Sequence, residues 1–226
     1  DDNDEARTKS TEDLTAGGKT KLAKVGIELD GEGRSATFIQ VDNTPVQVEV
    51  EKETPLELMN TGDAAKKHPE LVEKYWWKAV APDTDKYTAK TATEREQGYF
   101  IRVRAGHKIS APLQACVFIG HEDQLQRVHN VVIIEEGAEL NIISGCASDP
   151  SVENGVHIGI SEFFVEKGAK LSFTMIHNWG ENVAVRPRTV AIVGEDAQYT
   201  SNYVCLERVK DVQMYPTTRL VGKGAV

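Results

Sequence analysis

Cysteine is scarce in this chain: three in 226 residues, at positions 116, 146 and 205. An odd number with no close pair makes no disulfide framework. The simplest setting is reducing and cytoplasmic, where these thiols stay free to bind metal or sulfur. Positive charge is also in deficit, 26 Lys and Arg against 35 Asp and Glu, for a net charge of −9. That balance argues against nonspecific nucleic-acid binding and against anionic membrane surfaces. No apolar run approaches the length of a membrane-spanning helix. The first residues, DDNDEARTKSTED, are polar throughout, which is neither a secretory signal nor an anchor.

Catalytic signatures are missing as well. AGGKT (16–20) ends like a phosphate-binding loop, but that loop needs a glycine five residues before Gly18, where the chain has Asp13. Nucleotide hydrolysis by this chain is therefore excluded. There is no His-Glu-x-x-His, no Cys-x-x-Cys and no Gly-x-Ser-x-Gly. Sugar-cleaving β-helices would want closely placed carboxylates on one strand face, whereas the acidic residues here gather at turns. An enzyme is not expected.

What is present is the composition of an ordinary folded protein, 40% hydrophobic and 27% charged. Residues 1–20 are polar and aperiodic and read as a loose arm with at most one short helix. Residues 21–97 read as a small α+β cap. ATFIQVDN (36–43) and PVQVEVEKE (45–53) alternate as strands do, and DAAKKHPELVEKYWWKAV (63–80) has the broad apolar face of a helix. KYTAKTATEREQ (86–97) carries no clear signal.

From Gly98 onward a repeat takes over. YFIRVRAGHKISAP, VVIIEEGAELNIIS, EFFVEKGAKLSFTM, VAIVGEDAQYTSNY and TRLVGKGAV align on a turn position at Gly106, Gly137, Gly168, Asp196 and Gly224. Five and three residues before each of the first four turns lie Ile101 and Val103, Val132 and Ile134, Phe163 and Val165, Ala191 and Val193. Three residues after lie Ile109, Leu140, Leu171 and Tyr199. Period-two apolar positions on both sides of a tight turn make two strands that share one core. The spacings of 31, 31, 28 and 28 residues, without helical periodicity, predict a mainly β fold. It is a right-handed parallel β-helix over residues 98–226, each coil burying its apolar face on its neighbours. The sequence stops at VGKGAV in mid-rung, so the natural chain is expected to continue, or another subunit to cover that end.

Stacking turns distant residues into columns. Nine residues past the turn lie Cys146, His177 and Cys205 in the second to fourth copies, and Ala115 beside Cys116 in the first. Thiolate and imidazole suit soft or borderline metals, so the column is a candidate metal- or sulfur-handling line. The competing reading is that buried cysteine is a small apolar filler, and for Cys116, within ACVFI, packing is the better account. His129, His157, His68 and His121 are expected at the surface or as caps. Tyr75-Trp76-Trp77 is a possible partner patch, at least partly buried by the neighbouring helix.

Four stretches carry a resemblance: GYFIRVRAGHKISAPLQA (98–115), VVIIEEGAELNIISGCAS (131–148), HIGISEFFVEKGAKLSFTMIHNW (157–179) and QMYPTTRLVGKGA (213–225). Together, their Pro-Leu-Gln-Ala, Gly-Cys-Ala, His-Asn-Trp and Tyr-Pro-x-x-x-Leu-x-Gly elements resemble the core of the SufB/SufD family, scaffolds of the SUF machinery for iron–sulfur cluster assembly. The short archaeal-type members are the nearer likeness. The resemblance implies a scaffold that carries a transient iron–sulfur cluster, works with an ABC-type ATPase and dimerises with itself or with a SufB/SufD paralogue. It also implies a sulfur-accepting role for the cysteine of the Gly-Cys element, here Cys146, with a depressed thiol pKa if that group is reactive. His177 and Cys205 rest on the stacking argument. The alternative is a non-catalytic solenoid that binds protein or carbohydrate, or a polysaccharide-active β-helix enzyme.

Overall fold

The computed structural model describes residues 9–52, 54–93 and 97–226. Its frame is a parallel β-solenoid whose coils each lay one strand in either of two sheets. The first sheet holds β1 (Ala36–Val41), β2 (Thr44–Val50), β5 (Leu113–Ile119), β7 (Glu139–Ser148), β9 (Lys170–Asn178) and β11 (Gln198–Cys205), in the order β11-β9-β7-β5-β1-β2. The second holds β3 (Leu56–Asn60), β4 (Tyr99–Val103), β6 (Gln124–Ile134), β8 (Gly155–Val165), β10 (Val183–Val193) and β12 (Asp211–Val212), with β13 (Tyr215–Leu220) also paired to β10. Along the solenoid every pairing is parallel. The two antiparallel pairs, β1 with β2 and β3 with β4, lie where the N-terminal segment joins the sheets.

The turns fall where the repeat places them. Gly106, Gly137, Gly168, Asp196 and Gly224 all have positive φ, between 52° and 75°, a region that glycine enters freely and aspartate tolerates. The apolar positions flanking these turns meet in one interior cluster that includes Ile101, Val132, Leu140, Phe163, Leu171 and Val193. A second interior cluster at the far end of the coils gathers Val117, Val128, Cys146, Trp179, Val183 and Val185.

Short helices cover the outer sheet faces. Helix α1 (Ala16–Lys24) starts at Thr15, whose Oγ1 accepts a bond from the Gly18 N–H. Its Leu22, with Val25 and Ile27 just beyond, packs in one cluster with Ile39, Cys116 and Phe118 of the first sheet. Cys116 is thus an outer-face packing residue. The stretch 63–80, read as one helix, is two: α2 (Thr61–Lys67) and α3 (Pro69–Tyr75). Pro69 has no N–H to continue α2 and is suited to open a new helix, so the chain breaks at His68. Tyr75 and Trp76 are buried against Phe100 and Phe164 of the second sheet. Residues 86–97, unassigned from sequence, contain α4 (Lys86–Ala92), capped at Asp85.

Candidate functional site

The column predicted at one phase of the coil is present. Cys146 of β7 pairs in register with His177 of β9, and His177 pairs with Cys205 of β11. Cys146 and His177 are buried, while Cys205 is exposed. The first rung departs from the sequence reading: Val117, not Ala115, stands beside Cys146. Lys108 still bridges Glu139, but Leu113 pairs with Ile142. The Ser-Ala-Pro stretch between them therefore holds two residues more than its counterpart, and Pro112 has no N–H to offer a ladder.

Cys146 and His177 line a cavity of about 20 Å3 between the sheets, at a polar waist separating the two apolar halves of the interior. From the second sheet come His157, Ser161 and Thr189. Gln126, at the position equivalent to His157 one coil earlier, donates its amide N–H groups to the carbonyls of Asp42 and Phe118. Its Oε1 is left to accept from His157 Nδ1 at 2.8 Å. That bond puts the proton of a neutral His157 on Nδ1 and leaves Nε2 bare. Tyr203 Oη lies 3.1 Å from His177 Nδ1, and Trp179 packs against both imidazoles.

Burial dominates the electrostatics. It pushes the Cys146 thiol up to about 12, against the weaker opposing pull of its bond to the Ser144 hydroxyl. The depressed thiol expected of a reactive group is not what burial produces here, and among the described residues no cation offsets it. Burial lowers His177 to about 4 and, with His177 nearby, His157 to about 3. At neutral pH the waist thus holds a protonated thiol and two uncharged imidazoles. Among the described residues, no group of three or more His, Cys, Asp or Glu side chains is disposed to hold a metal ion. Cys146, His177 and Cys205 are neighbours in register without forming a ready-made metal centre.

Two of the histidines expected at the surface or as caps are interior. His157 is one wall of the cavity, and His129 lies buried 2.8 Å from Glu162. The signal for His157 was available: Gln126 and His157 are separated by 31 residues, the same coil length that joins Cys146 to His177.

The sequence comparisons bear directly on this coil. The family model described as SUF system FeS cluster assembly, SufBD core domain, matches residues 117–226. An iron–sulfur cluster assembly SufBD family protein of Methanothermobacter thermautotrophicus is 47% identical over 208 residues, covering 90% of this chain and 50% of the relative. One from Archaeoglobus fulgidus is 48% identical over 199 residues, covering 88% and 53%. The chain belongs to the SufBD family. The iron–sulfur cluster assembly protein SufB of Bacillus subtilis is a more distant member, 29% identical over 74% of this chain and 36% of its own length. The chain spans about half the length of the archaeal SufBD relatives it matches. Cys146, His177 and Cys205 all lie within the SufBD core match.

Proposed function

We propose that this chain acts as a scaffold, not an enzyme, in iron–sulfur cluster assembly, with Cys146 as the acceptor of sulfane sulfur. The observation that carries this reading is the in-register pairing of Cys146 with His177 at a polar cavity inside a SufBD core. Sulfur held there is shielded from solvent. His177 and Cys205, next along the column, are the proposed contacts for iron or for the nascent cluster, which is cargo and not a resident cofactor. A raised thiol pKa does not bar the role, because a thiol must lose its proton only as it attacks. The chain holds no phosphate-binding loop of its own, so an ABC-type ATPase partner supplies the driving cycle. The scaffold dimerises with itself or with a SufB/SufD paralogue, in the cytoplasm. Residues 98–226 serve as the assembling core and 21–97 as its cap.

The test is anaerobic cluster reconstitution with the ATPase partner, comparing wild type with Cys146→Ser. Loss of cluster absorbance in the variant is expected. Undiminished cluster yield would remove Cys146 from the mechanism.

A further inference from the structure

Three of the sequence elements that carry the family likeness turn one residue inward and the next outward. In Gly-Cys-Ala, Cys146 belongs to an interior cluster while Ala147 packs in the cluster outside the first sheet. Alternation and register put Gly145 on that outer face as well, together with Gln114 of Pro-Leu-Gln-Ala and Asn178 of His-Asn-Trp.

What they meet there is one stretch of chain, residues 15–34. The Thr15 hydroxyl donates to the Asp149 carboxylate, just past β7. Lys21 Nζ donates to Asn178 Oδ1 of β9 at 3.0 Å and pairs with Glu207 beyond β11, which Lys24 approaches at 3.6 Å. Val25 and Ile27 occupy the space that a side chain at Gly145 would need. A methyl built there stands 2.7 Å from Val25 Cγ2 and 2.8 Å from Ile27 Cγ1. Gln114, buried on β5, accepts the Glu28 N–H at 2.8 Å and donates its amide N–H to the Glu28 carbonyl at 2.6 Å, as a neighbouring strand would. Arg34 Nε donates to the same Gln114 oxygen.

A bare solenoid has no such link. Each coil touches only its neighbours, so stability adds coil by coil and an end can peel away without the middle. A segment fixed to β5, β7, β9 and the loop past β11 removes that freedom, because no one of these strands leaves without breaking the segment's contacts. We propose that residues 15–34 form a cross-coil strap that makes the solenoid open as one unit, with Gln114, Gly145 and Asn178 as its seats. The assignment does not depend on what Cys146 carries. Strands β7, β9 and β11 are those of Cys146, His177 and Cys205, so the strap also keeps that column in step.

The test is native-state hydrogen exchange, read by mass spectrometry on peptides of β5, β7 and β9. Alkylation of Cys116, which packs with Leu22, Val25 and Ile27, reports separately whether the strap is seated. In the wild type the slowest amides of the three strands are expected to exchange within about threefold of one another. Gly145→Val fills the seat with a good strand former on an outward position, so it displaces the strap and spares the coil. Lys21→Met combined with Gln114→Leu cuts the polar seats instead. Either variant should speed Cys116 alkylation about tenfold or more and spread the strands into a gradient, β9 exchanging about tenfold or more faster than β5.

A gradient of that size already present in the wild type overturns the proposal. So do strands that still exchange together once Cys116 is uncovered, the result of a segment that only adds stability. Cys116 as slow in both variants as in the wild type overturns the seats. If one variant fails to fold, the other and the wild-type comparison of the three strands still decide.

Discussion

Glu162 Oε2 lies 2.8 Å from His129 Nε2, and both side chains are buried beneath the loop that follows α3. The same carboxyl accepts the backbone N–H groups of Trp77, Ala79 and Val80 at 2.6, 2.6 and 2.9 Å. Trp77, at φ +55°, stacks over the His129 ring. One side chain of β8 therefore fastens the N-terminal cover to the coil. Removing it orphans three N–H groups at once, and Glu162→Ala is expected to lower stability by about 3–5 kcal/mol. Glu162→Gln, which keeps an acceptor oxygen, should lose clearly less. Urea titration of the three proteins checks this, and a loss under about 1 kcal/mol for the alanine variant would show that the loop is not held by Glu162.

Gly168 isolates the backbone term at the turns. Its φ is +64°, and a methyl built there meets nothing within 4 Å. Gly168→Ala should therefore cost only the strain of a left-handed residue, about 1–2 kcal/mol. Gly168→Asn should cost less, since Asp196 occupies the equivalent turn at φ +52°. Equal unfolding midpoints for wild type and Gly168→Ala would contradict this.

These turns explain why so much of the coil was legible. A left-handed corner demands Gly, Asn or Asp, and alternation on either side of it dictates which residues face in. Phe163, Val165 and Leu171 are thus placed in the core by the sequence pattern alone. Register came through wherever the count from the turn to the following strand was constant, which is why Cys146, His177 and Cys205 align as counted. It failed by two residues at Ala115, where the Pro112 stretch lengthens the path from the turn to the strand. The other misses were histidines. Burial of His157 depends on Gln126 standing one coil away, and burial of His129 on Glu162 together with a loop about fifty positions earlier. A single side chain's local sequence shows neither. The direction of the Cys146 pKa was not legible for the same reason, because desolvation is a property of the closed coil and not of Gly-Cys-Ala.

The three thiols should separate cleanly by accessibility. Cys205 is exposed, while Cys116 and Cys146 are buried and burial raises both thiols. Iodoacetamide at neutral pH is expected to label Cys205 within minutes and the other two more than about a hundredfold more slowly, since only exposed thiolate reacts. In denaturant all three should react alike. Rapid native labelling of Cys146, read from its peptide, would mean that the cavity is open or its thiol ionised, and the shielded-sulfur proposal would fail.

The two imidazoles at the waist make stability depend on pH. His157 and His177 are lowered to about 3 and about 4 in the folded chain, against about 6.5 when unfolded. Between those values the unfolded chain binds protons that the folded chain refuses, so stability falls as pH drops from about 6.5 toward 4. Above about 6.5 both states hold neutral imidazoles and this contribution is flat. Each histidine adds a slope of up to about 1.4 kcal/mol per pH unit inside the window. His177→Gln should remove one such increment between pH 4.5 and 6 while leaving the slope above pH 7 unchanged. Urea unfolding across that range measures it directly. An unaltered acid slope in the variant would mean that His177 already carries its proton in the folded chain, and that the waist is not the uncharged environment its burial dictates.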